Sequence, residues 1–269
     1  MSTPKQHVFR KYPLISFYLL AFTISWIGWI PQTLYSYKLF PFNHYLFSLL
    51  GGAGPTLAAV LVSRRLWGKD GPSKVFNALF RWKFSWQWYF VPLLFWSLIT
   101  TGILIGGTIS GLFSLPLESY SWYLLPSVFA TMLLSNVWEE IGWRGFALPQ
   151  FQKGYSDGKI ALIMGLTWSL WHLPLMLDPY SPLSDLPWGG EFIFSLALSV
   201  IYIWLYNNSR GSLIPVTLFH ALSNTAAFVF LELGIFEASY LWVVGFTSLA
   251  ALGILFYYGP TRFSRNTES

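Results

Sequence analysis

The stretch WYLLPSVFATMLLSNVWEEIGWRGFALP, residues 122–149, decides the fold. It reads as a greasy helix until Glu139 and Glu140 stand side by side, with Arg144 one turn later, and then continues apolar to Pro149. Proline has no N–H and clashes with the preceding turn, so the helix is expected to stop there. A helix of this length and polarity belongs in a bilayer, and the rest of the chain agrees. Of its 269 residues, 54% are hydrophobic, 20% aromatic and only 10% charged, against about 25% charged in a soluble domain.

Length alone would allow one or two soluble domains. The apolar residues, however, fall into repeated runs of roughly 18 to 22, enough for a helix to cross about 30 Å of hydrocarbon. Hydropathy marks eight spans: Leu14–Ile30, Tyr45–Val62, Trp88–Ile109, Trp122–Ala147, Lys159–Leu177, Phe192–Tyr206, Leu213–Leu231 and Tyr240–Tyr258. The expected fold is all-α, a polytopic bundle of about eight transmembrane helices. It forms one integral-membrane domain over residues 1–269, with a catalytic core over about 122–231.

Short cytoplasmic connections accumulate Lys and Arg. Placing both termini in the cytoplasm puts fifteen of the sixteen basic residues, from Lys5 to Arg265, on the inner side and leaves only Lys38 outside. Glu118, Asp178, Asp185, Glu191, Glu232 and Glu237 lie in or beside outer loops. Topology therefore explains the net charge of +5 better than nucleic-acid binding does. The N-terminal stretch has a basic patch but no small-residue cleavage site, so it reads as a retained first span. With no cysteine, the chain has no disulfide framework, thiolate metal site or cysteine nucleophile.

Ionisable groups within spans are costly and mark functional sites. Glu139, Glu140 and Arg144 fall late in span four, His172 in span five, and His220 with Asn224 in span seven. Helix neighbours point about 100° apart, whereas residues four apart share a face. Glu140 and Arg144 thus form the natural ion pair. Glu139 is left without a local partner in low dielectric, the setting of a general base. Trp168 lies one turn before His172 and can hold its imidazole; Pro174, just beyond, bends the helix. Counting turns from the inner ends places Glu139 and His220 in the inner half of the membrane, in a cavity expected to open to the cytoplasm.

A carboxylate and an imidazole can strip a proton from water, while a second imidazole and a carboxamide stabilise the oxyanion formed on a peptide carbonyl. The same set can instead hold a divalent metal such as Zn²⁺ through Glu139, His172 and His220. Neither a Gly-rich phosphate loop nor HExxH nor GxSxG is present, which removes the commoner NTPase, zincin and serine-hydrolase readings. The polar groups could equally serve a non-catalytic scaffold, chaperone or bacteriocin self-immunity protein that binds in the cavity. A proton-coupled transporter is a third reading, but the chain shows no inverted repeat.

Three motifs resemble those of the type II CAAX prenyl endopeptidase and bacteriocin-processing (CPBP, or Abi) intramembrane proteases. EExxxR appears as Glu139-Glu140-Ile-Gly-Trp-Arg144, FxxxH as Trp168-Ser-Leu-Trp-His172 and HxxxN as His220-Ala-Leu-Ser-Asn224, in family order on separate helices. The departure is Trp168, where the family usually has Phe. The resemblance implies a glutamate-dependent or metal-dependent endopeptidase in a prokaryotic cell membrane, acting near the cytoplasmic leaflet. Glu139 and His172 would activate water, and His220 and Asn224 would bind the oxyanion. The partners it implies are membrane lipid and a peptide or lipidated-protein substrate, without nucleic acid.

Overall fold

A computed structural model describes residues 9–114 and 121–265. Lys5 and Glu118 of the charge count lie outside these residues. Among the described residues there is no strand, and eight helices have fifteen residues or more. In chain order they are α1 (Pro13–Ser36), α2 (Tyr45–Trp67), α3 (Gln87–Ile109), α4 (Leu125–Glu140), α5 (Asp157–Trp171), α6 (Trp188–Asn208), α7 (Ile214–Glu232) and α8 (Phe236–Tyr258).

Six helices are long and apolar enough to cross a membrane: α1, α2 with its continuation to Phe80, α3, α6, α7 and α8. α4 and α5 differ for separate reasons. α4 is continued by a π-helix over Ile141–Ala147 and a last α-turn over Leu148–Phe151, so its length suffices, but it carries the polar motif. α5 has 15 residues and ends at Trp171; His172 caps it, and a short helix, Leu173–Met176, follows.

The expectation that Pro149 stops the fourth helix is corrected by the π-helix. The wider turns break the α hydrogen-bond register, and Pro149 falls in the first turn of the α-segment that follows, where the N–H it lacks has no intrahelical partner to lose. The helix therefore runs on to Phe151.

Small residues bring α1 and α2 together as a hairpin. Ser25 Oγ donates to the Gly51 carbonyl at 2.6 Å, and a Cβ at Gly51 or Gly54 would collide with Trp29 or Ser25. Close packing thus accounts for Gly51 and Gly54 of the Gly-rich LLGGAGPT stretch, residues 49–56. α2 in turn packs on α4 and its π-helix, where a Cβ on Gly142 would meet the Pro55 backbone. α7 fits between α3 and α4, and α6 covers α5 and α8. Trp143, Trp171, Phe17 and Phe146 fill the interior. Phe256 is 95% exposed and Ile109 82%, which suits a surface solvated by lipid tails rather than water.

Hydrogen bonds define two ends of the bundle. At one, Leu213 N–H donates to the Ala78 carbonyl, and the buried Asp157 carboxylate accepts from Asn207 and from Phe263 N–H. At the other, Thr33 Oγ1 donates to the Pro174 carbonyl at 2.8 Å and Tyr37 OH to the Leu177 carbonyl at 3.0 Å. The chain runs between these ends in alternation, and the basic connections gather at the first.

Candidate active site

The last two turns of α4 carry the glutamates. As expected from their spacing, Arg144 Nη1 donates to Glu140 Oε1 at 3.0 Å, with both side chains almost fully buried. The same Oε1 also bonds His220 Nδ1 at 2.8 Å. That bond, between α4 and α7, is invisible to helix periodicity. It fixes the imidazole by one nitrogen and leaves Nε2 as its free donor or acceptor. The Arg144 guanidinium lies over the Tyr202 ring at 4.2 Å and near Trp168 at 5.4 Å, so aromatic faces take the place of water around a buried cation.

Glu139 turns away from this pair. Its Oε2 accepts from Trp168 Nε1 at 3.2 Å, a bond that the family's usual Phe cannot make. Asn224 donates to Asn136 Oδ1 at 3.0 Å. Asn136, buried one turn before Glu140, is a positioning residue that the sequence reading missed, although the spacing of four was a signal. His172 lies at the end of α5 among indoles: Trp29 is near-parallel at 6.2 Å, Trp168 is at 5.1 Å and Trp171 at 4.8 Å. Its Nδ1 is buried with no hydrogen-bond partner among the described residues.

Glu139, Trp168, His172, His220 and Asn224 all line one cavity of about 350 Å³. Glu140 and Arg144 stand behind it. Glu191, expected in or beside an outer loop, sits in the first turn of α6, buried and accepting from Ser195 at 3.0 Å. It separates the main cavity from an apolar side pocket of about 110 Å³. The turn signals before it, Pro187 and Gly189-Gly190, gave no warning of burial.

A metal fits this arrangement poorly. Among the described residues no three His, Asp or Glu side chains stand close enough to hold one ion. His220 uses Nδ1 on Glu140, and Glu139 is bonded to an indole.

Trp29, Leu175, Pro182, Leu183, Leu231 and Phe236 form the upper wall of the cavity, and all belong to the end opposite the basic connections.

The membrane helices thus gather Glu139, His172, His220 and Asn224 around one chamber. Residues 120–226 match the family described as type II CAAX prenyl endopeptidase Rce1-like, and this segment contains all three motifs. Across a longer span, the chain is 28% identical over 228 residues to the CAAX prenyl protease 2 of Methanococcus maripaludis, covering 80% of this chain and 83% of that protein. The chain is similar to these proteases across its three motifs and is an integral, multi-pass membrane protein.

Proposed function

We propose that the protein hydrolyses a peptide bond within the membrane using water activated by Glu139, without a metal. The observation that carries this reading is the separation of the two glutamates. Glu140 is occupied by Arg144 and His220, whereas Glu139 has only the Trp168 indole and faces the cavity.

The geometry supports the following step. Water bound between Glu139 and His172 gives a proton to the Glu139 carboxylate, and its oxygen bonds to the substrate carbonyl carbon. The carbonyl electrons move to oxygen, where the His220 ring, held at Nδ1 by Glu140, and the free Asn224 N–H donate to the oxyanion. Collapse breaks the C–N bond, and the proton on Glu139 passes to the leaving amine. The family points to a peptide or prenylated-protein substrate.

The test uses purified protein in liposomes with fluorogenic peptides carrying a CAAX-type terminus, prenylated and unprenylated. Wild type should cleave at least one, and Glu139→Gln should cleave neither while keeping the wild-type elution profile and helix content. Cleavage retained by Glu139→Gln sinks the mechanism. Activity lost to chelators and restored by zinc would overturn the metal-free step.

A further inference from the structure

Resting on the reading of the cavity as a peptidase chamber, we infer that Tyr202 is a positioning residue whose ring holds the Arg144 guanidinium and, through it, the orientation of Glu140 and His220. Tyr202 lies in the second half of α6, a helix that carries none of the three motifs, yet it touches one residue of each. Its ring is 4.2 Å from the Arg144 guanidinium, 6.1 Å from the Trp168 ring and 5.7 Å from the His220 ring. The side chain is fully buried and stands behind the cavity. It can act on substrate only through these neighbours.

The surroundings select the ring rather than the hydroxyl. Tyr202 OH has no hydrogen-bond partner among the described residues, so no polar contact explains it. What the ring meets is a guanidinium cation that is 1% exposed. Among the described residues, its side-chain hydrogen bond goes to Glu140 Oε1, while Nε is buried without a partner. The same Oε1 also bonds His220 Nδ1. Arg144 and His220 therefore share one oxygen, and the hold of the guanidinium on it depends on what else stabilises the cation. An aromatic face does this best where water is excluded. With the Tyr202 ring in place, Arg144 is held by two groups and Oε1 keeps its place against His220. Without the ring, the cation has Glu140 alone and is drawn further onto the carboxylate, turning Oε1 away from the imidazole.

The test places phenylalanines of increasing ring fluorination at position 202 by amber suppression. Fluorine withdraws the negative face of the ring in steps and leaves its shape almost intact, so a residue that merely fills space would not respond. Tyr202→Phe keeps the cation contact and should hold kcat within about twofold of wild type. Tyr202→trifluorophenylalanine should lower kcat about tenfold with KM little changed, and the mono- and difluoro variants should fall between. The unfolding constant in SDS titration should rise along the same series. The nitrogen-15 signal of His220 Nδ1, assigned by its loss in His220→Gln, should move in step, a readout that needs no turnover. A series flat in all three measurements would overturn the contact between ring and cation. An unfolding constant that responds while kcat and the His220 signal do not would make the ring a packing element and overturn the positioning role. If wild type cleaves no peptide, the peptidase reading fails, and the unfolding and His220 series still decide for or against Tyr202.

Discussion

Glu140→Ala should unfold the protein far more readily than Glu139→Gln, although the two residues are neighbours. Glu140 is fully buried and holds two donors at once, Arg144 at 3.0 Å and His220 at 2.8 Å. Removing it strands a guanidinium beneath the cavity, and breaking a buried ion pair from one side costs about 3–5 kcal/mol. Replacing both partners, Glu140→Leu with Arg144→Met, removes the stranded charge. Only the unpaired His220 Nδ1 then remains, which should bring the loss to about 1–3 kcal/mol. Glu139→Gln keeps an acceptor for the Trp168 indole, so its loss should stay within about 1 kcal/mol. Unfolding is followed by SDS titration in mixed micelles, with peptide cleavage measured in parallel. The double variant should recover most of the fold but little activity, since His220 has no anchor in it. A loss below about 1 kcal/mol for Glu140→Ala, or a double variant no more stable than the single one, would refute the assignment of Glu140 as the hub of the buried network.

Trp168→Phe restores the family's usual ring but deletes the donor to Glu139. Losing a hydrogen bond to a charged group, about 1.5–3 kcal/mol, should cut kcat about tenfold or more with little change in KM. Asn136→Ala frees the Asn224 amide and should lower kcat by about tenfold; rescue by Asn136→Asp, which keeps an acceptor, separates positioning from simple packing. Gly142→Ala drives a Cβ into the Pro55 backbone and should cost about 1–3 kcal/mol in the same titration. Gly52→Ala, with open space around it, should be silent.

Much of the site was legible because its logic is local. The spacing of Glu140 and Arg144 foretold their pairing, the turn between Trp168 and His172 foretold the ring contact, and costly polar groups in apolar helices named Glu139, His220 and Asn224. What escaped was whatever depends on two helices meeting. Glu140 and His220 are eighty residues apart, and no period links them. The π-helix escaped because the stretch Ile141–Ala147 has no composition that separates it from α-helix; that omission moved the helix end from Pro149 to Phe151. The burial of Glu191 escaped because Pro and Gly precede it at the edge of an outer loop, while Ser195 one turn later makes it an internal acceptor.

The arrangement explains why a chain so apolar sets two carboxylates together. Each polar group facing the cavity, apart from His172, has a hydrogen-bonding partner that fixes it: Glu140 for His220, Asn136 for Asn224, Trp168 for Glu139. Glu140 and Asn136 belong to the same two turns of α4 as Glu139, so one helix supplies both the working group and the anchors of the other two. A single glutamate could not do this, because a carboxylate committed to Arg144 and His220 has its electron pairs directed at fixed donors and is a poor acceptor for a proton from water. The π-helix that begins at the next residue, Ile141, fits the same division, since widened turns recur at functional sites and this one carries Arg144 into the core beneath Glu140. In the proposed mechanism the pair is thus one anchor and one base, distinguished by the 100° between neighbours on a helix.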